Sequence, residues 1–355
     1  MPVDMSVVIC SLNGADGVDR CLRALTRQTI HSSLEVIVVD DGSTDATSDV
    51  GRAHEAIVVR HSTNLGLAAA RNSGLTAATA PVVAFLDDDC EPEQVWAEQL
   101  LTGYQEGVIG AGGPILPTGR SCLIMRYLER NNPLRAQEAN LGESDRLTYR
   151  LMLYLQRQWM RTDELASRDV YSFAGANMSF LRQALIEVGQ FDERFCFGGE
   201  DLDICIRLRH AFPSRRLTFV PKARIVHHFK PSMHDILRRS RAYGRGSARM
   251  YRKWPSMSPT FFPGPVVVLA MLLLSKRFRP LAMAAVATPH LLFPRGLRYA
   301  VSDRSGAGLL DAYIQLAQEA CNDIGFLEGL WLFRHIVPES GTTTVQAATH
   351  QEETR

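Results

Sequence analysis

The feature that most constrains the fold is a regular alternation of short Val- and Ile-rich runs with longer amphipathic stretches. The apolar runs, each of strand length, are MSVVIC, LEVIVVD, AIVVRH and PVVAFLD. The stretches between them, each long enough for a helix, are 16–28, 44–53 and 67–78. Strands that alternate with helices are typical of a parallel sheet with helices on its faces. We therefore predict an α/β fold with a parallel sheet covered by helices on its faces.

Polar side chains cluster where the predicted strands end. They are Ser11 and Asn13 after the first run, Asp40 and Asp41 after the second, and Asp87, Asp88 and Asp89 after the fourth. A sheet of this kind binds its ligand at the carboxyl ends of its strands. Turn formation by Asp and Asn would explain any one of these clusters. It explains three together poorly, so the sequence predicts a ligand site at this edge.

The stretch FLDDDCEP places three carboxylates side by side, which is unfavourable unless a positive charge lies close to them. Asp87 and Asp89 are two residues apart, so their side chains fall on the same side of an extended segment. They are suited to share one Mg²⁺ or Mn²⁺, which takes oxygen ligands and leaves positions for phosphate oxygens. A D-x-D triplet alone is weak support, because such triplets are frequent in surface loops.

Composition limits the partners and the compartment. The net charge is +1, but ten basic residues and one acid between Lys222 and Lys253 give this segment +9, so the rest carries −8. The seven cysteines contain no C-x-x-C pair, which argues against a zinc site and a disulfide framework. A reducing cytosol is the simplest setting. The N-terminus lacks the pattern of a signal peptide, so we expect the catalytic part to face the cytosol.

The C-terminal third combines a basic helical stretch with two apolar runs, FFPGPVVVLAMLLL and LAMAAVATPHLLF. Each run is shorter than the ~20 residues needed to span a bilayer. Two interpretations stay open: a buried helical pair that packs on the main domain, or an interfacial hairpin whose Arg and Lys meet anionic lipid. The predicted regions are a main domain 1–232 with a helical insertion 118–170 over the site, a helical region 233–337 and a disordered tail 338–355.

Seven motifs occur in an order that resembles family 2 glycosyltransferases. They are SVVICSLNG, VIVVDDGSTD, NLGLAAARNSG, FLDDDCEP, GANMSFLRQALIEVGQFDE, GGEDLDICIRL and ARIVHH. The resemblance covers roughly residues 5–230 and leaves the last third uncovered. It implies a GT-A fold, which has a Rossmann-like mixed, mostly parallel sheet with helices on both faces. It also implies an inverting enzyme that uses a nucleotide-diphospho-sugar.

The resemblance also implies roles for individual residues. It implies nucleotide-sugar contacts at Ser11, Asn13, Asp41, Arg71, Asp87, Asp88, Gly175, Asn177 and Gly199. It implies that Asp87, Asp89 and His227 hold Mn²⁺ or Mg²⁺. Two of these residues have an alternative role, because Arg71 could instead form a salt bridge to one of the acids and His227 could be structural. Cys90 and Leu12 depart from the family pattern, and Leu12 leaves the base preference open.

Asp201 in GGEDLD matches the family's general base, with Glu200 beside it to orient the acceptor or tune Asp201. A carboxylate there would take the proton of the acceptor hydroxyl as that oxygen attacks the anomeric carbon. The alternative is a first-turn acid that only complements the helix dipole. In that case Asn would replace Asp201 with little loss of activity.

The predicted function is transfer of a sugar to a glycan or lipid-linked acceptor, such as a cell-envelope glycan, at the cytoplasmic face of a membrane. Segment 233–300 is the predicted peripheral membrane contact, and its apolar runs argue against a nucleic-acid partner. One rival is a non-catalytic nucleotide-sugar-binding protein. Another is a nucleotidyltransferase, disfavoured because SLNGADG has no basic residue before Arg20. The donor sugar, the acceptor and the linkage cannot be read from the sequence.

Overall fold

The structure, a computed structural model, describes residues 3–119, 121–139, 144, 146–159, 166–255, 262–302 and 304–338. Its strands are β1 Met5–Ser11, β2 Leu34–Asp40, β3 Ile57–Arg60, β4 Val82–Asp87, β5 Cys90–Pro92, β6 Val108–Gly112, β7 Ile115–Pro117, β8 Gln137–Glu138, β9 Arg168–Ser172, β10 Asn177–Leu181, β11 Arg216–Phe219 and β12 Ile225–His227. Apart from its first residue, the predicted tail lies outside the described residues.

Helices separate the strands of the N-terminal half and dominate the C-terminal third. They are α1 Ala15–Thr26, α2 Thr47–Ala53, α3 Leu67–Ala77, α4 Trp96–Thr102, α5 Leu123–Arg130, α6 Leu147–Trp159, α7 Arg182–Glu187, α8 Glu200–Ala211, α9 Met233–Lys253, α10 Pro263–Leu274, α11 Pro280–Leu292, α12 Arg295–Ser302 and α13 Asp311–Leu332. The predicted strand–helix alternation from β1 to β4 is confirmed.

The main sheet has nine strands in the order β3-β2-β1-β4-β10-β6-β11-β9-β8. Strands β3, β2, β1 and β4 are parallel, as predicted. Strand β10 runs antiparallel to both of its neighbours, and the β11–β9 and β8–β9 pairs are also antiparallel. The fold is therefore α/β with a mixed sheet, whose parallel half carries the polar strand ends at one edge.

Alternate residues of the central strands build two cores, one on each face of the sheet. On β1, Val8 packs in the same cluster as the apolar side of α3, while Val7 and Ile9 pack with α1 and α4. Successive side chains of a strand point to opposite faces, so a strand covered on both sides is apolar throughout. This explains why MSVVIC is a continuous apolar run.

A second, three-stranded sheet brings distant segments to the end of β4. Strand β12 lies between β5 and β7, antiparallel to the first and parallel to the second. In this register His227 pairs with Cys90 and with Pro117. Cys90, which follows the FLDDD motif, is thereby paired with His227, the first histidine of the ARIVHH motif.

The predicted insertion 118–170 is only partly helical. Helices α5 and α6 lie within it, but Gln137–Glu138 and the start of Arg168–Ser172 are strands of the main sheet. The helices contact the C-terminal region: the Arg130 guanidinium pairs with Asp311 at 3.1 Å. Strands form here because the chain returns along the free edge of β11. That the insertion covers the site stays a prediction.

Helix α9 packs closely against α13 within the C-terminal region. Glycines make the approach possible: a Cβ on Gly244 would collide with the carbonyl of Asn322, and one on Gly325 with the carbonyl of Arg241. Along the described parts of the chain, no helix has the length and hydropathy to cross a membrane. Helices α10 and α11 pack on each other and on α13, yet they leave many large apolar side chains exposed. Complete burial of this pair is therefore wrong.

Glu319 on α13 makes stability depend on pH. The hydroxyl of Tyr154 lies 3.0 Å from both of its carboxylate oxygens. Burial, helped by the charge of Asp323, raises the pKa of Glu319 from 4.5 to about 8. The folded state therefore binds a proton that the unfolded state releases, so the free energy of unfolding falls as the pH rises from 4.5 to 8.

We expect Glu319→Gln, which mimics the protonated acid, to be more stable than wild type by about 1–3 kcal/mol at pH 8. The difference should shrink toward pH 5, as measured by denaturant unfolding. Glu106→Gln, at an exposed glutamate, should not change the pH dependence. A Glu319→Gln protein whose stability falls with pH as steeply as wild type would contradict the assignment.

Candidate active site

A buried arginine joins the two acidic motifs that the sequence separates. Arg71, on α3, is 2% exposed. Its Nη1 lies 2.5 Å from Oε1 of Glu200, at the start of α8, and its Nη2 lies 3.5 Å from Oδ1 of Asp87, at the end of β4. Burial acts to lower the pKa of Arg71, but Glu200 and then Asp87 raise it above its usual value. The predicted donor and base motifs thus line one cleft.

The geometry matches the salt-bridge alternative for Arg71 rather than a free phosphate ligand. Both terminal nitrogens of the guanidinium face carboxylates of the protein. A Cβ on Gly175 would lie 2.5 Å from Nη2, so only glycine fits beside this group. Gly175 is therefore at the predicted site, where its small size leaves room for Arg71.

Asp201 is held by backbone groups in a position that suits a base. Its Oδ2 accepts from the amide of Gly175 at 2.9 Å, and its Oδ1 accepts from the amide of Leu202 at 2.8 Å. Burial first, and then the charge of Glu200, raise the pKa of Asp201 to about 6, while Arg71 acts in the opposite direction. Such a carboxylate is anionic near neutral pH and still basic enough to accept a proton.

Two glycines shape the loop that precedes Asp201. Gly198 and Gly199 have φ of +88° and +100°, a region that other residues rarely adopt. Gly199 immediately precedes α8, so the reversal of the backbone sets Glu200 and Asp201 in the first helical turn. The predicted sugar contact of Gly199 stays a prediction.

Asp89 and His227 form a donor set that fits a divalent cation. The Nε2 atom of His227 lies 3.2 Å from Oδ1 of Asp89, and the Cys90 thiol belongs to the same group. Burial lowers the pKa of His227 to about 4, so its imidazole is neutral and able to bind a metal. Burial, followed by the charge of Asp87, raises the pKa of Asp89 to about 6. The negative charge of Asp87 and Asp89 is therefore not fully compensated. A bound metal ion would supply the missing positive charge.

Ring stacking, rather than a hydrogen bond to its other nitrogen, orients His227. Its Nδ1 is buried and, among the described residues, has no hydrogen-bond partner. The ring stacks on Phe229 with centroids 4.1 Å apart, which orients Nε2 toward Asp89. A nitrogen ligand beside carboxylates suits Mn²⁺ better than Mg²⁺, which prefers oxygen ligands.

Asp88 points away from this donor pair and toward the start of α1. Its Oδ2 accepts from the hydroxyl of Ser11 at 2.5 Å. A Cβ on Gly14 would collide with the same oxygen. Burial raises the pKa of Asp88 to about 6 against the effect of Ser11. These contacts give Ser11 and Asp88 a role in holding the loop after β1, and their nucleotide contacts stay predictions.

Asn13 and Asp41 likewise hold loops at the strand ends. The side-chain oxygen of Asn13 accepts from the amide of Thr44 at 2.8 Å. The Asp41 carboxylate accepts from the amides of Leu65 and Gly66 at 2.8 and 2.9 Å, and Nδ1 of His61 lies 2.7 Å from it. Asp41 thus organises the loop before α3, and its predicted contact with base or ribose stays a prediction.

Asn177 is the predicted site residue that the structure removes from the cleft. It is 1% exposed. Its oxygen accepts from Nε1 of Trp96 at 2.9 Å, and its amide donates to the carbonyls of Ala223 and Pro114 at 2.9 and 3.3 Å. The assignment as a sugar contact is wrong, because both amide hydrogens and the oxygen bind groups of the protein.

Two residues of α9 lie within electrostatic range of the site, although the sequence analysis assigned this helix to a membrane. The charge of Arg239 acts on Asp89, and the charges of Asp87 and Asp201 act on the hydroxyl of Tyr243. Arg239 and Tyr243 are four residues apart, so they share one face of the helix. The sequence shows this four-residue spacing, but it does not show which face of α9 meets the cleft.

Comparisons with known proteins agree with the fold. The family described as Glycosyl transferase family 2 matches residues 6–186, and Glycosyl transferase family group 2 matches residues 143–295. The chain is similar to Pre-mycofactocin glycosyltransferase of Mycobacterium tuberculosis, with 29% identity over 77% of this chain and 53% of that protein. It is also similar to Validoxylamine A glucosyltransferase of Streptomyces hygroscopicus, with 30% identity over 59% and 52%.

Solved structures share the fold at low identity. A mannosyltransferase from Pyrobaculum calidifontis, in complex with GDP-Man and Mn²⁺, has a TM-score of 0.54 and 19% identity over 93% of this chain and 88% of that one. GalNAc-T7 with UDP, GalNAc and Mn²⁺ has a TM-score of 0.50 and 17% identity over 71% and 48%.

The mixed sheet and its acidic cleft define the class of a GT-A glycosyltransferase. The chain belongs to glycosyltransferase family 2. It spans about half the length of the curated relatives it matches.

The geometry of the metal donors leads to a binding prediction. We expect Asp89→Ala to abolish the increase in nucleoside diphosphate affinity that Mn²⁺ causes in wild type, because it removes the carboxylate opposite His227. Isothermal titration of UDP and GDP, with and without Mn²⁺, measures this. Asp4→Ala, at an exposed acid before the start of β1, is the control. An unchanged Mn²⁺ effect in Asp89→Ala would rule out this donor set.

Proposed function

We propose that this protein transfers a sugar, with inversion, from a nucleotide-diphospho-sugar to an acceptor hydroxyl. One observation carries the proposal: Arg71 contacts Asp87 of the FLDDD motif and Glu200 of the GGED motif at the same time. The site for the donor's diphosphate and the candidate base therefore belong to one cleft. An inverting transfer requires this arrangement, because the acceptor must attack from the side opposite to the leaving nucleotide.

Asp201 acts as the general base in this proposal. Its carboxylate receives the proton of the acceptor hydroxyl while the hydroxyl oxygen bonds to the anomeric carbon. The amides of Gly175 and Leu202 keep the carboxylate oriented before and after it is protonated. Glu200 is occupied by Arg71, so its contribution is to position that charge and to raise the pKa of Asp201.

Asp87, Asp89 and His227 are the residues that would hold Mn²⁺ or Mg²⁺. When bound, the metal supplies positive charge beside the diphosphate, where negative charge grows as the nucleotide leaves. Crystal structures of the same fold in complex with Mn²⁺ and a nucleotide or nucleotide sugar support this assignment. The base and the sugar of the donor stay open, because the two structures hold different nucleotides.

The rival functions are less well supported. A non-catalytic nucleotide-sugar-binding protein needs no base, yet Asp201 is held at the cleft with a pKa suited to proton transfer. A nucleotidyltransferase would use a basic phosphate loop after β1. Here that loop carries Ser11 and Asn13, which bind Asp88 and the loop after β2.

The surface of α10 and α11 supports a membrane contact and a lipid-linked acceptor. Large apolar side chains are exposed along both helices: Val266, Val267, Leu269, Leu272, Leu273, Leu274, Met283, Val286 and Leu291. Exposed Lys276, Arg277 and Arg279 connect the two helices. Apolar helices flanked by basic side chains are suited to lie at the boundary of an anionic bilayer. All seven cysteines are free thiols, which supports the cytoplasmic face.

The role of Asp201 is tested by removing its basicity while keeping the size of its side chain. We expect Asp201→Asn to lower kcat by at least ~10²-fold while nucleoside diphosphate affinity is retained. Because the base must be anionic, wild-type kcat should fall about tenfold per pH unit below pH 6 and stay level above it.

The assay is release of nucleoside diphosphate from a panel of sugar nucleotides with Mn²⁺. Asp16→Asn changes an exposed first-turn acid of α1 and should leave turnover unchanged. If Asp201→Asn behaved like Asp16→Asn, Asp201 would be an acid that only complements a helix dipole.

The membrane contact is tested by flotation with lipid vesicles. We expect the protein to float with vesicles that contain phosphatidylserine and to float less with pure phosphatidylcholine, since the basic residues add electrostatic attraction. Leu269→Gln combined with Leu273→Gln should reduce flotation, whereas Ile57→Gln, on an edge strand, should not. Wild type that stays at the bottom of the gradient with both lipids would exclude this contact.

A further inference from the structure

A hydrogen-bonded chain of three side chains lies at the strand ends and takes no part in the transfer step proposed above. It runs from Ser73, on α3, through His61, which follows β3, to Asp41, which follows β2. Nε2 of His61 lies 2.8 Å from the hydroxyl oxygen of Ser73, and Nδ1 lies 2.7 Å from Oδ1 of Asp41. The side chains of His61 and Asp41 are only 9% and 7% exposed, so the chain is shielded from water.

The chemistry of the carboxylate fixes the protons along this chain. An ionised carboxylate can only accept hydrogen bonds, so the proton between Asp41 and His61 belongs to Nδ1 of the ring. In the neutral imidazole Nε2 is then an acceptor, and it receives the hydroxyl proton of Ser73. The bond at one ring nitrogen determines the role of the other. Ser73 therefore selects the tautomer of His61 that donates to Asp41.

Three donors of the protein hold Asp41 and leave one of its acceptor positions open. Oδ1 accepts from His61 and from the amide of Leu65 at 2.8 Å, while Oδ2 accepts from the amide of Gly66 at 2.9 Å. The two oxygens of a carboxylate offer about four acceptor positions. Among the residues that the structure describes, no other side chain or amide donates to this carboxylate. One position on Oδ2 is therefore left for a ligand.

Asp41 lies at the edge of the sheet where the donor is proposed to bind. Its amide donates to the carbonyl of Ser11 at 2.9 Å, so it sits level with the end of β1. Strand β1 separates β2 from β4. Neighbouring strands are about 4.8 Å apart, which sets the end of β2 about 10 Å from the acids that follow β4. A nucleotide whose diphosphate lies beside those acids can reach Asp41 with its nucleoside.

We propose that His61 is a positioning residue for the donor: fixed by Ser73, it holds the Asp41 carboxylate so that Oδ2 accepts a hydrogen from the donor's nucleoside. This inference rests on the proposed function. The nucleoside is the part that fits, because a carboxylate needs a hydrogen-bond donor. The diphosphate of a sugar nucleotide offers none at neutral pH, whereas ribose has hydroxyls and some bases have a ring N–H. His61 acts through Asp41, since both of its ring nitrogens are engaged.

Two amide substitutions of His61 separate the roles of its ring nitrogens. The side-chain nitrogen of Asn takes the place of Nδ1, whereas that of Gln takes the place of Nε2. We therefore expect His61→Asn to keep the hydrogen bond to Asp41 and His61→Gln to lose it. With Mn²⁺ present, His61→Gln should bind UDP or GDP, whichever wild type prefers, about 10- to 100-fold more weakly, the cost of a hydrogen bond to a charged group. His61→Asn should stay within about threefold of wild type.

Pyrophosphate is the ligand that separates positioning from folding. It occupies the metal and phosphate part of the cleft but has no nucleoside, so its affinity with Mn²⁺ should be the same in His61→Gln and in wild type. A loss of folding would weaken both ligands. Ser73→Ala, which frees Nε2 and lets the ring change its tautomer, should weaken only the nucleotide and by less than His61→Gln. Isothermal titration measures each affinity.

His54→Gln is the matched control. Nε2 of His54 lies 2.8 Å from Oδ1 of Asp19, so this histidine is also paired with an aspartate. It follows the C-terminal end of α2, and its partner is on α1. His54→Gln should therefore bind nucleotides and pyrophosphate as wild type does.

Nucleotides without a ring N–H locate the hydrogen that Asp41 accepts. The rings of CDP and ADP lack this group, whereas those of UDP and GDP have it. A smaller loss in His61→Gln for CDP than for UDP, or for ADP than for GDP, would place the hydrogen on the base. An equal loss would place it on the ribose.

Three results would overturn the inference. Equal nucleotide affinity in His61→Gln and wild type would show that His61 does not serve the donor. A His61→Asn protein as weak as His61→Gln would show that the bond to Asp41 is not what matters. Equal losses for the nucleotide and for pyrophosphate would make His61 a residue of the fold alone. Failure of wild type to bind any of these nucleotides would instead refute the proposed function itself.

Discussion

The buried charge network around Arg71 is the interaction on which the arrangement of the site depends. Arg71, Glu200 and Asp87 come from α3, α8 and β4, and the guanidinium is almost fully shielded from water. Removing one partner of a buried ion pair leaves an uncompensated charge and costs about 3–5 kcal/mol. The network therefore holds the start of α8 at a set distance from the end of β4. That distance sets how far Asp201 lies from the proposed diphosphate site.

On the other side of the cleft, hydrogen bonding between strands fixes the position of His227. The register of β12 against β5 sets His227 opposite Cys90, and so next to Asp89. A shift of one residue would turn His227 to the opposite face of the small sheet and present His228 instead. His228 already binds Glu91 at 2.6 Å, which favours the observed register.

The sequence predicted what local patterns determine. Strands β1 to β4 and helices α1 to α3 lie close to their predicted bounds, because apolar periodicity and turn residues act over short distances. Contacts between residues far apart in the sequence were harder to predict. The motif containing Asn177 does not show that this side chain turns into the core toward Trp96. The basic composition of α9 does not show that Arg239 faces the cleft, because charge density carries no direction.

Helix α9 connects the candidate active site with the apolar surface of α10 and α11. One side of it contacts the loop at Gly198, and another packs on α13, which in turn contacts α10 and α11. Helices α9 and α13 approach to backbone contact at Gly244 and Gly325, which leaves no room for a side chain between them. A lipid surface bound by α10 and α11 would then hold the cleft at a constant height above the head groups. Reaction at a lipid-linked hydroxyl requires that constraint, since the acceptor cannot leave the bilayer to meet Asp201.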